Sequence, residues 1–260
     1  MIYQEIPVLA EGSSPEAVLV VYIQNYSTEM LVQERPLVVL CPGGGYNHLS
    51  VREAESEALQ FLAMGYHAAV LKYSVAPAKF PTQLCELAWA MKYLRSKASE
   101  WHIVSDKIVV QGSSAGGHLA ATAATHYTSQ AERPDFQILF YPVISFDSTF
   151  THKDSRDHLI GKNASEQQVR LYSNELQVTA DTPPAFIAAS TDDATVSVRN
   201  SVEYYNALLS KDVSAALLLF PTGGHGWVGN IDFAYRQAWQ QALATWLQQQ
   251  SDEMRHISQH

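Results

Sequence analysis

Lys107-Ile108-Val109-Val110-Gln111-Gly112-Ser113-Ser114-Ala115-Gly116-Gly117-His118-Leu119-Ala120-Ala121 is the stretch whose reading decides the fold. The β-branched run at its start predicts a strand, the alanine-rich run at its end predicts a helix, and the glycines between them require a tight turn. A serine at the tip of such a turn holds a strained backbone, and a neighbour larger than glycine or alanine collides with the adjoining strand or helix. The G-x-S-x-G spacing around Ser114 supplies that relief, which makes Ser114 the candidate nucleophile. Ser113 is rejected, because shifting the register by one puts Gln111 and Ala115 where the turn needs glycines. The helix mouth also points unpaired N–H groups at any negative charge that develops there, Ala115 supplying the first.

Working outward, Ala17 to Ile23 and Leu37 to Cys41 are β-rich apolar runs, and the second ends in Pro42-Gly43-Gly44-Gly45-Tyr46. A helix is expected over Glu53 to Met64 with Gly65 as its stop, then a strand from His67 to Lys72. Phe80-Pro81-Thr82 opens a helix whose Leu84, Leu87, Ala88, Met91 and Leu94 keep the 3.6-residue period. After the turn at Ser114 come a helix to about Tyr127 and a strand at Phe136 to Tyr141. From Ser145 to Pro184 the pattern turns polar and irregular, with a helical candidate at Glu166 to Tyr172, and is read as an insertion over the sheet. Alternation resumes with a strand at Ala185 to Ala189, a helix carrying Val198, Val202, Tyr205 and Leu209, a strand at Ala215 to Phe220 and a helix from about Asp232 to Gln248. The polar tail from Gln249 is expected to fray.

Alternating strands and helices imply an α/β fold with a mostly parallel sheet covered on both faces, its site built from loops at the carboxyl ends of the strands. Gly43 to Gly45, Ser114, Asp192/Asp193 and His225 each follow an expected strand. Scattered motifs would not share one edge of one sheet. The 260 residues, 47% apolar and 10% aromatic, are enough for one α/β domain over 1–250, with the insertion at about 145–184 and a polar tail at 251–260.

The formal charge of −9 and the lack of a Lys/Arg cluster exclude a nucleic-acid surface. No apolar run is long enough for a membrane span, and Met1 to Glu5 shows no leader pattern, so a cytoplasmic protein is expected. Cys41 and Cys85 make neither a disulfide framework nor a zinc pair, and no HExxH-like spacing occurs. Neither a metal nor a cofactor is expected.

A serine hydroxyl needs an imidazole to take its proton, and the imidazole needs a carboxylate to hold it. The order Ser, acid, His is the one the α/β-hydrolase arrangement requires, and His225 alone of the ten histidines follows a late strand inside a glycine-rich loop. Asp192 and Asp193 are both candidate acids, one of them free to cap the helix near Ser197; Asp181 precedes its strand instead of following it. Gly44 and Gly45, with Ala115, are the expected donors to an oxyanion. Tyr46 and His48 beside that loop, His118 in the first turn after Ser114, and Trp227 after His225 are the candidates for touching substrate.

Taken together, Cys41 to Tyr46, Phe80-Pro81-Thr82-Gln83-Leu84, Gly112 to Ala120, Leu176 to Pro184 and Pro221 to Gly226 resemble the α/β-hydrolase esterases. Within these, they are most similar to the acetyl-esterase and acetylxylan-esterase-like branch related to the hormone-sensitive-lipase group. In that branch the acid is the second of two aspartates, which implies Asp193. Two residues depart from the wider pattern: Pro42 stands where lipase-like relatives have histidine, and Ser197 where a proline often follows the acid. The resemblance implies a serine carboxylesterase that cleaves short acyl groups, acetyl above all, from a small-molecule ester such as an acylated sugar. An arylformamidase or small peptidase on the same fold is the nearest rival, and a non-catalytic binding protein a more distant one.

Overall fold

The computed structural model describes the backbone of residues 1–257 and the side chains of residues 1–250. Eight strands form one sheet: β1 Ile2–Pro7, β2 Val18–Ile23, β3 Arg35–Cys41, β4 His67–Lys72, β5 Ile103–Ser113, β6 Phe136–Phe140, β7 Ala185–Ser190 and β8 Ala215–Phe220. They lie in the order β1-β2-β4-β3-β5-β6-β7-β8. β2 is antiparallel to both β1 and β4, and every pairing from β4 to β8 is parallel. This is the expected α/β architecture. Eight helices connect and cover the sheet: α1 Glu55–Ala63, α2 Thr82–Ser96, α3 Ala98–Trp101, α4 Ala115–His126, α5 Lys153–Ile160, α6 Glu166–Leu171, α7 Arg199–Leu209 and α8 Arg236–Ile257.

Strand alternation divides the core in two. Leu37, Val39, Ile108 and Val110 point to the face packed by Leu87, Met91 and Leu94 of α2, Leu119 and Ala120 of α4 and Tyr204 of α7. Val38, Leu40, Val109 and Ile138 point to the other, against Phe61 of α1 and Trp239, Leu243 and Trp246 of α8. Burial on both faces is why the central strands read as unbroken apolar runs.

Register decides what meets at the carboxyl edge. Cys41 lies opposite Gly112, so the glycine loop after β3 runs beside the turn after β5. Ser190 lies opposite Phe220, which brings the loop at Asp192 and Asp193 against the loop at His225.

Besides the unexpected short helices α3 and α5, three elements depart from expectation in instructive ways. β1 adds an exposed edge strand that pairs Ile2 with Ile23; it is held by backbone pairing, and its mixed polarity hides it in the sequence. β5 starts at Ile103, because the polar residues Ser105 to Lys107 lie in a strand whose register with β3 shifts between Arg35 and Leu37. α8 runs past the expected end at Gln248 to Ile257, since polar residues without glycine or proline do not stop a helix. Residues 258–260 of the expected tail lie outside the described residues. Among the described residues, no helix is long and apolar enough to cross a membrane.

Candidate active site

Ser114 sits between β5 and α4 with φ 55° and ψ −121°, a conformation that costs a non-glycine residue strain. The flanking glycines make it possible. A Cβ on Gly112 would lie 2.1 Å from the Gly116 carbonyl oxygen, and one on Gly116 would lie 1.9 Å from the Cys41 carbonyl oxygen. The turn is pinned by Ser114 N–H donating to the Phe140 carbonyl (3.0 Å) and Val143 N–H donating to the Ser114 carbonyl (3.0 Å).

His225 comes from the loop after β8, where Gly223, Gly224 and Gly226 all have positive φ. Its Nε2 is 2.8 Å from Ser114 Oγ and its Nδ1 is 2.6 Å from Asp193 Oδ2. The Asp193 side chain is almost fully buried, and its Oδ1 accepts from the Thr195 and Val196 amides at 2.8 and 2.9 Å. Its second oxygen is thereby aimed at the imidazole. The Asp192 carboxylate instead accepts from the Gly223 and Gly224 amides (3.1 and 2.8 Å), so it holds the histidine loop and caps no helix. Asp181, exposed at the opposite end of β7, takes no part.

The glycine loop is equally tied down. Tyr73 Oη donates to the Pro42 carbonyl at 2.6 Å, and the Gly44 carbonyl accepts from the Asn47 and His48 amides. Gly44 has φ +123°, and a Cβ there would meet the His48 carbonyl oxygen at 2.0 Å. The Gly43 amide is already taken, donating to Glu53 Oε2 at 2.9 Å. The amides of Gly44, Gly45 and Ala115 have no protein acceptor among the described residues, so they can receive an oxyanion beside Ser114. Glu53 also accepts from Tyr141 Oη (2.7 Å), whose ring packs edge-on against His225 with centroids 4.7 Å apart. One buried carboxylate thus braces the glycine loop and, through Tyr141, the histidine. Burial and the Glu53 charge push the Tyr141 phenol well above its usual range, keeping it a donor.

These groups open into a cavity of about 330 Å³. Apart from glycines, Ser114 and His225, its walls are Asn47, His48, Ser50, Arg52, Glu53, His152, Asp154, His158 and Thr195. Among the described residues, no aliphatic side chain and no phenyl, phenol or indole ring lines it. An apolar cavity of about 280 Å³ lies elsewhere, between α1 and α8 against Phe61, Met64 and Trp239, and includes no residue of the Ser114, Asp193, His225 set.

Of the residues expected to touch substrate, His48 lines the cavity, but Tyr46, His118 and Trp227 do not. These three correct the expectation, being only 1%, 0% and 2% exposed. Tyr46 Oη bonds His118 Nδ1 (2.9 Å), and His118 Nε2 donates to the Tyr172 carbonyl (2.8 Å) while its ring stacks on Phe146. The pair ties α4 to the insertion. Trp227 turns the other way at Gly226 and packs into an aromatic cluster with Phe140, Phe220, Phe233 and Trp239. Glu53, His152, Asp154 and His158 escape sequence reasoning. The first precedes a helix, and the others lie in the polar insertion, where neither period nor glycine marks them.

Comparison with known proteins bears on the family and the fold. The BD-FAE family profile matches residues 23–208. The chain belongs to the BD-FAE family, within the α/β-hydrolase esterase group. Its similarity to the endo-1,4-β-xylanase B of Butyrivibrio fibrisolvens is 36% identity over 217 residues, 77% of this chain and 34% of that protein. To the acetylxylan esterase of Xylanibacter ruminicola it is 32% identical over 215 residues, 81% of this chain and 45% of that protein. The chain therefore spans less than half the length of either curated relative. Among solved structures, an acetyl ester-xyloside bifunctional hydrolase from Caldicellulosiruptor lactoaceticus superposes with TM-score 0.87 at 32% identity. That match covers 95% of this BD-FAE chain and 96% of the other.

Proposed function

We propose that the protein is a serine carboxylesterase that removes short acyl groups, acetyl above all, from the hydroxyls of small sugars of the xylose type. The observation that carries this reading is the unbroken chain Ser114–His225–Asp193, at 2.8 and 2.6 Å, opening into a cavity lined by polar side chains and glycines. Ser114 Oγ attacks the acyl carbonyl carbon while His225 Nε2 takes its proton. Asp193 accepts from Nδ1–H, fixes that tautomer and stabilises the imidazolium. The oxyanion settles on the amides of Gly44, Gly45 and Ala115, a kind of contact worth about 10²–10³ in rate for a single donor. His225 then returns the proton to the departing alkoxide, and water, activated by the same imidazole, releases the acid from Ser114.

The walls support the substrate class. Burying a long acyl chain or a feruloyl ring contributes about 25 cal/mol per Å² only where apolar surface meets it, and here, among the described residues, that surface is limited to the carbons of glycines and polar side chains, with no aliphatic or aromatic hydrocarbon wall. A polyhydroxylated alcohol, by contrast, finds donors and acceptors on every side. The acetylxylan esterase and acetyl ester-xyloside hydrolase among its relatives support the same class. The test is hydrolysis by the purified protein of p-nitrophenyl acetate, p-nitrophenyl decanoate, acetylated xylo-oligosaccharides and a feruloyl ester. Acetate turned over at least about tenfold faster than decanoate, with acetic acid released from the sugar esters, is expected. Equal rates on the two p-nitrophenyl esters would contradict it.

A further inference from the structure

We propose that His152 reads the alcohol half of the substrate, its Nε2–H donating a hydrogen bond to a carbohydrate oxygen near the ester; this rests on the esterase reading above. His152 stands at the N-cap position of α5, without a side-chain capping bond, and lines the same cavity as Ser114 and His225. Its Cε1 lies 3.8 Å from where a Cβ on Gly45 would stand, so the ring edge overhangs the glycine loop.

The direction of its hydrogen bond follows from Ser155. That residue is fully buried, and the partner of its Oγ among the described residues is His152 Nδ1, at 2.8 Å. Were Nδ1 protonated, the Ser155 hydroxyl hydrogen would be buried with no acceptor, a costly arrangement. The hydroxyl therefore donates to Nδ1, and the ring proton sits on Nε2, which has no protein partner among the described residues, on a side chain that lines the cavity. Burial lowers the His152 pKa below the usual imidazole range, with the nearby Asp154 charge opposing it and His225 adding to it, so the ring is a neutral single donor at neutral pH.

The donor is also held in place. His158, six residues further along, donates from Nδ1 to the Gly45 carbonyl at 2.9 Å, and Lys79 Nζ grips the carbonyls of Asp157 and His158 at 3.0 and 2.6 Å. α5 and the glycine loop thus form one unit, so the distance from His152 to the reacting carbonyl is set before substrate arrives. An acetyl group offers no acceptor beyond its carbonyl, which belongs to the amides of Gly44, Gly45 and Ala115. Only the alcohol can meet a further donor. Asp154, on the same wall, supplies an acceptor suited to a neighbouring hydroxyl.

The experiment compares kcat/KM on a monoacetylated methyl β-xylopyranoside with that on p-nitrophenyl acetate, whose leaving group has no hydroxyl. In His152→Phe the ratio of xyloside to p-nitrophenyl ester should fall about tenfold, mostly through KM of the xyloside, as expected for one lost hydrogen bond in a polar site. His152→Gln, which keeps an N–H donor, should restore most of the ratio. A ratio unchanged in His152→Phe, or equal losses on both esters, would overturn the assignment, the second outcome marking a merely structural residue. Wild-type deacetylation of the xyloside, abolished in Ser114→Ala, tests the esterase reading on its own. If that fails the assignment falls with it, whereas wild-type deacetylation with unaltered selectivity in His152→Phe overturns the assignment alone.

Discussion

On one side of the cavity Ser114, Gly44, Gly45 and His225 stand on turns that close parallel strands, each turn held by hydrogen bonds to its own backbone amides and carbonyls and by glycines at points of close approach or positive φ. On the other side His152, Asp154 and His158 come from α5, in an irregular insertion anchored through side chains such as Lys79 and His118. The first side has little freedom to vary, because a Cβ at Gly116 or Gly44 would collide with backbone at about 2 Å. The second can change its chemistry without disturbing the sheet. On the proposed reading, the floor suits bond-making steps that tolerate no displacement, and the roof suits choosing among alcohols.

Substitutions on the floor should act on kcat, and the largest effect after loss of Ser114 itself belongs to Asp193→Asn. That change leaves the carboxamide where the carboxylate was but favours the wrong imidazole tautomer, so kcat on p-nitrophenyl acetate should fall by about 10³–10⁴ with KM little changed. Asp192→Asn, which only loosens the histidine loop, should cost far less. Comparable losses in the two variants would erase the distinction between the two aspartates.

A smaller effect probes the joint between floor and roof. Burial lowers the His118 pKa from 6.5 to about 4, and its ring serves both the Tyr172 carbonyl of the insertion and Tyr46 of the glycine loop. Because the folded pKa lies below the unfolded one, this stabilisation is fully present above about pH 6.5 and is lost as pH falls toward 4. Between pH 7 and 5 the loss is about 2 kcal/mol. His118→Phe keeps the stack on Phe146 but removes the titration, so its urea stability should fall by about 2 kcal/mol less than wild type over that range. His67, with a similarly lowered pKa, contributes equally to both proteins and cancels. Identical pH slopes would show that His118 does not titrate on unfolding.

The same division governs what can be read from the sequence. Strand, turn and helix around Ser114 are legible because β-branched runs, glycine spacing and the alanine run are local signals, and the order serine, acid, histidine follows from topology, while in the sequence the choice of Asp193 over Asp192 rests on the family resemblance alone. Trp227 reads as a pocket wall and is not one: the positive φ of Gly226 sends it into the core, and no sequence signal gives a side chain's direction at a glycine turn. Tyr46 and His118 have the residue types of a binding site, yet they satisfy each other. Glu53 and His152 stay hidden because their importance lies in contacts with Gly43 and Ser155, made by packing and not by pattern.

Reaction with a fluorophosphonate probe, followed by peptide mapping and an esterase assay, tests the central claim most directly. A single adduct on Ser114, formed in step with complete loss of p-nitrophenyl acetate hydrolysis and absent from Asp193→Asn on the same timescale, is the predicted result. Full activity with Ser114 unlabelled, or an adduct on Ser113 in its place, would contradict it.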